Sequence, residues 1–157
     1  MSNTKFAVVY DTFLSKITDD MYMELTIDDT RAMLEELLMS ALHWFEFPRE
    51  NIFDYDKETR EFNVTLSYEE INIIATYMIV EWIGQQLASV ENTRMKYSGS
   101  DFKMTSQANH LQKLLALLSE AQRESFHMQR LYKRRKLDDN GVYQSNWSCL
   151  RDKSALK

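Results

Sequence analysis

The chain has 157 residues, of which 44% are apolar, 27% charged and 12% aromatic, with three Gly, one Pro and one Cys. This composition is ordinary for one globular domain, and so few Gly and Pro disfavour β-sandwiches, barrels and Gly-rich phosphate loops, which need backbone positions that Gly accepts most readily. We therefore expect one domain built mainly of long helices.

The net charge of −5 conceals an uneven distribution of charged residues. Residues 1–91 carry a formal charge of −12, whereas residues 92–157 carry +7. A difference in sign between the two halves indicates an interaction surface, although it does not identify the partner.

The sequence contains no signal for secretion or membrane insertion. Cys149 is the only cysteine and cannot form an internal disulfide, and the first residues lack an apolar signal core, so we expect synthesis in a reducing cytoplasm. The most apolar run covers 71–83 and includes Asn72 and Glu81. A bilayer span needs roughly twenty predominantly apolar residues, so we expect a soluble protein without a membrane partner.

Apolar residues recur at three- and four-residue spacing in the first part of the chain. They predict a first helix from Phe6 to Ile17 and a second helix that begins with the N-cap candidates Asp28–Thr30 and ends near Pro48. Asp28 and Asp29 also place negative charge at the positive end of that second helix.

A change of period after Pro48 predicts extended structure. Residues 51–56 and 61–66 resemble two short strands around a polar turn, which predicts a β-hairpin at about 51–66. Because a lone hairpin is only marginally stable in water, we expect it to lie on the helices or to pair with strands of a neighbouring subunit.

Ser67–Glu70 forms a capping box, which predicts the start of a third helix. This helix is apolar on nearly every face, as is typical of a central core helix. Gly84 interrupts it at a cost of about 1 kcal/mol relative to Ala, which favours either close helix packing or a hinge. A loop is expected near Ser98–Asp101.

The last predicted helix begins near Thr105 or Ser106 and ends in Lys133–Lys136. About thirty residues make a rod of about 45 Å, longer than the ~40 Å diameter of a compact domain of this length. Part of this helix should therefore leave the core. Residues 137–157 show neither helical nor strand periodicity and predict a flexible C-terminal tail.

The predicted architecture is therefore mainly α. A helical domain at 1–136 contains a bundle of about four helices, with the short hairpin between the second and third, and a flexible tail follows at 137–157.

No residue pattern indicates catalysis or cofactor binding. His43, His110 and His127 are not spaced as metal ligands, and the adjacent acidic pairs fall at helix ends or on polar faces, where capping and solvation explain them. Cys149 has no basic partner of known position. We therefore predict no catalytic residue, no cofactor, no metal site and no enzymatic activity.

The main candidate for binding is a basic cluster at the end of the last helix. Its members are Arg130, Lys133, Arg134, Arg135 and Lys136. Cations at a helix C-terminus also interact favourably with the helix dipole, so the cluster needs no partner to explain it. A protein partner and a nucleic acid are the functional alternatives, the latter with Phe126, Tyr132 and Tyr143 available for stacking.

The predicted C-terminal tail contains a second candidate for binding a partner. Tyr143, Trp147 and Leu150 lie in a polar terminal segment, which is a common form of docking peptide because one large aromatic side chain can anchor a short segment. The alternative is that Trp147 folds back on its own domain.

The stretch from Glu91 to Lys113, ENTRMKYSGSDFKMTSQANHLQK, together with the capping box and apolar helix before it, resembles small structural proteins of the head–tail joining region in tailed bacteriophages of Gram-positive hosts. In general layout, residues 5–136 resemble head–tail connector (adaptor) proteins. No catalytic residue is carried over, because no catalytic motif is known to us for the family.

The resemblance implies a virion protein, made in the host cytoplasm, that forms a ring of about twelve copies beneath the portal. Its expected partners are other copies of itself, the portal protein, downstream neck or tail proteins, and the genomic DNA that passes through the channel without sequence-specific contacts. An acidic and a basic half suit head-to-tail contacts between subunits. Two alternatives stay open, namely a small nucleic-acid-binding regulator and another tail or tail-assembly component.

Overall fold

A computed structural model describes residues 3–17, 26–96, 104–137 and 143–145; within them, only the backbone is described at 90–96, 104–109, 136–137 and 143–145. The protein is mainly helical, as predicted, with a small antiparallel sheet. The four helices are α1 (Phe6–Lys16), α2 (Ile27–Leu42), α3 (Tyr68–Lys96) and α4 (Met104–Arg134). The strands are β1 (Thr4–Lys5), β2 (Tyr55–Asp56), β3 (Glu61–Phe62), β4 (Arg135–Leu137) and β5 (Tyr143–Ser145).

The predicted hairpin is present between α2 and α3, but it is shorter than expected and it is not alone. Strands β2 and β3 pair antiparallel, and β1 adds to the other edge of β3 with Thr4 opposite Phe62. Phe62 is fully buried and packs 4.8 Å from the ring of Phe6 at the start of α1. The hairpin is therefore stabilised by the N-terminal strand and first helix of its own chain.

Helix α2 differs from its predicted boundaries at both ends. Its N-cap is Thr26, whose hydroxyl accepts a hydrogen bond from the backbone N–H of Asp29. Asp28 and Asp29 instead occupy the first turn, where their charges favour the helix dipole. The helix ends at Leu42, well before Pro48, because residues 43–49 leave the helix and lie against α4.

The capping box that predicts the start of α3 is confirmed. The hydroxyl of Ser67 accepts from the backbone N–H of Glu70 at 3.3 Å, and the Glu70 carboxylate accepts from the backbone N–H of Ser67 at 2.8 Å. Helix α3 is central, since α1, α2 and α4 all pack against it. Its first half contributes Ile73, Ile74 and Met78 to the main core.

Helices α3 and α4 extend beyond that core as a pair. Their 29 and 31 residues correspond to about 44 and 46 Å at 1.5 Å per residue. The main core includes α4 only near its end, whereas Val80 and Ile83 of α3 form a second cluster with Leu114 and Ala121 of α4. Among the described residues, no atom beyond those next to Gly84 in its own helix lies within 4 Å of a Cβ built on this glycine, so close packing against them does not explain it.

The C-terminal region departs from the prediction where it is described. Helix α4 ends at Arg134 rather than Lys136, and β4 pairs antiparallel with β5, with Leu137 opposite Tyr143. Residues 143–145, predicted as part of a flexible tail, are thus paired strand. Trp147 and Leu150, and the loop predicted at 98–101, lie outside the described residues.

Candidate functional site

The loop after α2 is hydrogen-bonded to the last turns of α4. The backbone N–H of Glu46 donates to Oε1 of Gln129 at 2.9 Å, and the backbone N–H of Arg49 donates to the hydroxyl of Tyr132 at 2.8 Å. Phe45 is buried with its ring 5.3 Å from that of Tyr132. These contacts join segments 83 positions apart in the sequence and hold the loop in one place.

The side chain of Arg49 caps the C-terminal end of α4. Its guanidinium lies 4.2 Å from the centroid of the Tyr132 ring and donates to the backbone carbonyls of Tyr132 and Arg135, at 3.3 and 2.8 Å. Carbonyls at a helix C-terminus have no partner within the helix and carry the negative end of its dipole, so a cation stabilises them.

Beneath this loop lies a buried polar network. Tyr132 donates from its hydroxyl to Oε1 of Glu70 at 2.6 Å, while the other carboxylate oxygen of Glu70 accepts from Ser67. Burial, and next the hydrogen bond to Glu70, raise the pKa of Tyr132 above its usual value of 10.0. Since both oxygens of Glu70 have partners, the network is structural and ties α4 to the first turn of α3.

A surface groove of about 550 Å³ runs along α4 beside the loop. We call it the α4 groove; its lining residues are Glu46, Gln122, Arg123, Phe126, Gln129, Arg130 and Lys133. Arg123, Phe126, Arg130 and Lys133 follow one another at three- and four-residue spacing and therefore share one side of the helix. Phe126 is 49% exposed, so the groove presents an aromatic ring among cations.

The positive charge of the α4 groove comes mainly from two arginines. Lys133 is paired with the Glu46 carboxylate at 2.6 Å. Arg123 and Arg130, by contrast, make no ion pair or hydrogen bond with any described residue. Two unpaired guanidiniums on either side of Phe126 suit a ligand that combines carboxylates, or other anions, with an apolar group.

Phe47 stands at the rim of the groove in an unusual conformation. It is 75% exposed, its φ is +56°, and its ring centroid is 4.4 Å from Nζ of Lys133. A bulky residue in the left-handed region carries about 1–3 kcal/mol of local strain. The loop contacts to Gln129 and Tyr132 on either side hold Phe47 outward.

The five cations predicted as one basic cluster at residues 130–136 do not share one surface in the structure. Arg130 and Lys133 line the groove, whereas Arg135 is paired with Glu69 at 3.3 Å on the side of α3. Arg134 is exposed, and only the backbone of Lys136 is described. Two of the five predicted cations are therefore engaged within the chain, which leaves less free positive charge than the sequence indicates.

The stacking aromatics expected of a nucleic-acid interface are only partly available. Tyr132 is buried with 2% of its surface exposed, so its proposed stacking role is wrong. Phe126 remains exposed. Tyr143 lies in β5, where the backbone alone is described, and the docking role predicted for Tyr143, Trp147 and Leu150 stays a prediction.

A second surface of mixed chemistry lies at the start of α2. Ile27 is 72% exposed, and beside it the Asp28 side chain is 94% exposed. The pairing of Asp28 with Arg31 is long, at 3.7 Å, and open to solvent. We call Ile27, Asp28 and Asp29 the α2 tip; it presents an apolar side chain next to two carboxylates.

Potential metal ligands do not converge in the described part of the chain, where no group of three His, Cys, Asp or Glu side chains is placed to hold an ion. His43 has its Nδ1 2.8 Å from the backbone carbonyl of Met39, while His110 and His127 are exposed on α4. None of the described helices contains an apolar stretch long enough to cross a bilayer.

No family model, no curated protein and no solved structure matches the chain. The α4 groove and the α2 tip are therefore interpreted from their own chemistry.

Proposed function

We propose that this chain is a structural protein of a tailed bacteriophage particle, a head–tail connector that forms a ring beneath the portal, extends the DNA channel and supports tail attachment. Its place would be the head–tail interface of the virion, and it would act by binding alone, without catalysis. The resemblance of residues 91–113 supports the placement in a phage particle, and it also supplies the expected number of about twelve copies.

One observation about the described residues supports an assembling subunit. The chain exposes two surfaces of opposite chemistry: the α4 groove is cationic and aromatic, and the α2 tip is acidic and apolar. Exposed apolar side chains rimmed by charge are typical of protein interaction sites. The division of formal charge between the two halves of the sequence, −12 and +7, agrees with this pattern.

Co-expression with the portal protein of a tailed phage tests the proposal. Negative-stain microscopy should show rings, alone or added to portal particles. Attachment to tail structures instead would favour a tail component of the same virion. A chain that forms no ring and ignores both portals and tails would contradict the connector function.

A nucleic-acid-binding regulator is the second candidate, and Arg123 and Arg130 beside Phe126 are the observation that favours it. Such a protein would bind DNA or RNA with an affinity that falls steeply with salt, because each phosphate contact releases counterions. Pairing of Lys133 with Glu46 and of Arg135 with Glu69 counts against a continuous phosphate-binding surface. Binding lost on Arg123→Glu and Arg130→Glu, without any effect on assembly, would favour the regulator.

A further inference from the structure

We propose that the α4 groove of one copy binds the α2 tip of a second copy. This inference rests on the proposed function, because it assigns the two surfaces through which successive subunits of the ring would meet. Asp28 and Asp29 would face Arg123 and Arg130, and Ile27 would lie against the exposed ring of Phe126.

The two surfaces cannot meet within one chain. Helix α2 has 16 residues and is about 24 Å long at 1.5 Å per residue. Its C-terminal end continues into the loop that supplies Glu46 to the groove, whereas the tip is at its other end. The length of α2 therefore separates the tip from the groove of the same chain, and only another copy can bring them together.

The chemistry of the two surfaces is complementary. Arg123 and Arg130 have no ion-pair partner among the described residues, and the Asp28 carboxylate is almost fully exposed. Guanidinium–carboxylate pairs are charge-assisted and can be bidentate, which fixes the orientation of the two partners. Phe126 between the arginines offers an apolar surface to Ile27, whose side chain is largely exposed.

A contact between two different surfaces of identical subunits is heterologous when the same two copies do not reciprocate it. Each copy then uses its tip on one neighbour and its groove on the other, and the assembly closes as a ring when the rotation between copies closes. The alternative is an isologous dimer, in which the tip and groove of one copy meet the groove and tip of the same partner and association stops at two copies.

Complementation between two variants tests this contact. The groove variant carries Arg123→Glu and Arg130→Glu, and the tip variant carries Asp28→Asn and Asp29→Asn, which remove the carboxylates without placing cations at the N-terminus of α2. Each variant alone should sediment as a monomer at concentrations where the wild type associates, with unchanged helical circular dichroism. Mixed in equal amounts, the two variants should associate again, because each retains the surface that the other lacks.

A matched control changes the same amount of charge elsewhere. Lys57→Glu with Lys113→Glu alters two exposed cations outside the groove and should leave wild-type association intact. Failure of the wild type to associate at any concentration, or association that survives in both variants, would overturn the contact. So would loss of DNA binding in the groove variant while its self-association persists.

Failure of this contact and failure of the connector function give different results. Rings on portal particles that persist in both variants would leave the connector function standing and remove the contact. Complementation in a chain that never binds a portal would support the contact and contradict the connector function.

Discussion

The hydroxyl of Tyr132, in the last turn of α4, donates a hydrogen bond to Oε1 of Glu70, in the first turn of α3, across 2.6 Å and 62 sequence positions. Both side chains are 98% buried. The same hydroxyl accepts from the backbone N–H of Arg49, so one phenol links α3, α4 and the loop that borders the α4 groove. The groove is therefore built on a rigid support.

Tyr132→Phe should lower the free energy of unfolding by about 1–3 kcal/mol, because the Glu70 carboxylate and the Arg49 N–H would each lose a buried partner. Urea denaturation followed by circular dichroism measures this change. Tyr68→Phe is the control, since Tyr68 is 76% exposed and should change stability by no more than about 0.5 kcal/mol. Equal stabilities of the two variants would show that the network contributes little.

Stability should decrease at alkaline pH. Burial raises the pKa of Tyr10 and of Tyr132 above the usual 10.0. Above about pH 10 the unfolded chain therefore loses phenolic protons that the folded chain keeps, and the free energy of unfolding falls as pH rises; below that pH these groups add no pH dependence. Urea titrations from about pH 8 to 11 measure the decline. It should be shallower in Tyr132→Phe.

Gly84→Ala should stabilise the protein by about 0.5–1 kcal/mol, because alanine restricts the unfolded backbone and favours the helix. A Cβ at this position meets no atom of the described residues within 4 Å beyond those next to it in its own helix, so it clashes with none of them. Thermal unfolding measures the effect. A lower melting temperature would contradict this expectation.

Ser67→Ala should cost about 0.5–2 kcal/mol, since the variant removes the N-cap oxygen of α3 and one of the hydrogen bonds to the Glu70 carboxylate. Ser119→Ala on the exposed side of α4 should be neutral or slightly stabilising. The same urea measurement compares the two. A neutral Ser67→Ala would mean that the Ser67 backbone N–H and the Tyr132 hydroxyl satisfy Glu70 without the serine hydroxyl.

Local features of the fold could be predicted from the sequence. The capping box at Ser67–Glu70 and the helical periodicity that starts at Phe6 depend on residues a few positions apart, and both are confirmed. Strand β1, which adds to the predicted hairpin, could not be predicted, because the pairing of Thr4 with Phe62 depends on a long-range contact. The N-cap of α2 was missed for a different reason: three neighbouring polar residues offered competing caps.

Only some residues of the α4 groove could be predicted from the sequence. Arg130 and Lys133 belong to the basic cluster that the sequence predicts, but Glu46 and Phe47 reach Lys133 from a loop more than 80 positions earlier. Pairing of Arg135 with Glu69 likewise depends on the tertiary arrangement. Arg123, which lacks a partner among the described residues, precedes the predicted cluster, and a single charge on a long helix is no signal of a site.

Native mass spectrometry of the wild type, alone and mixed with portal particles, tests whether this chain assembles with copies of itself at a phage portal. We predict a closed species with a single copy number, near twelve, on the portal. A mass that stays at one chain under both conditions would contradict the claim.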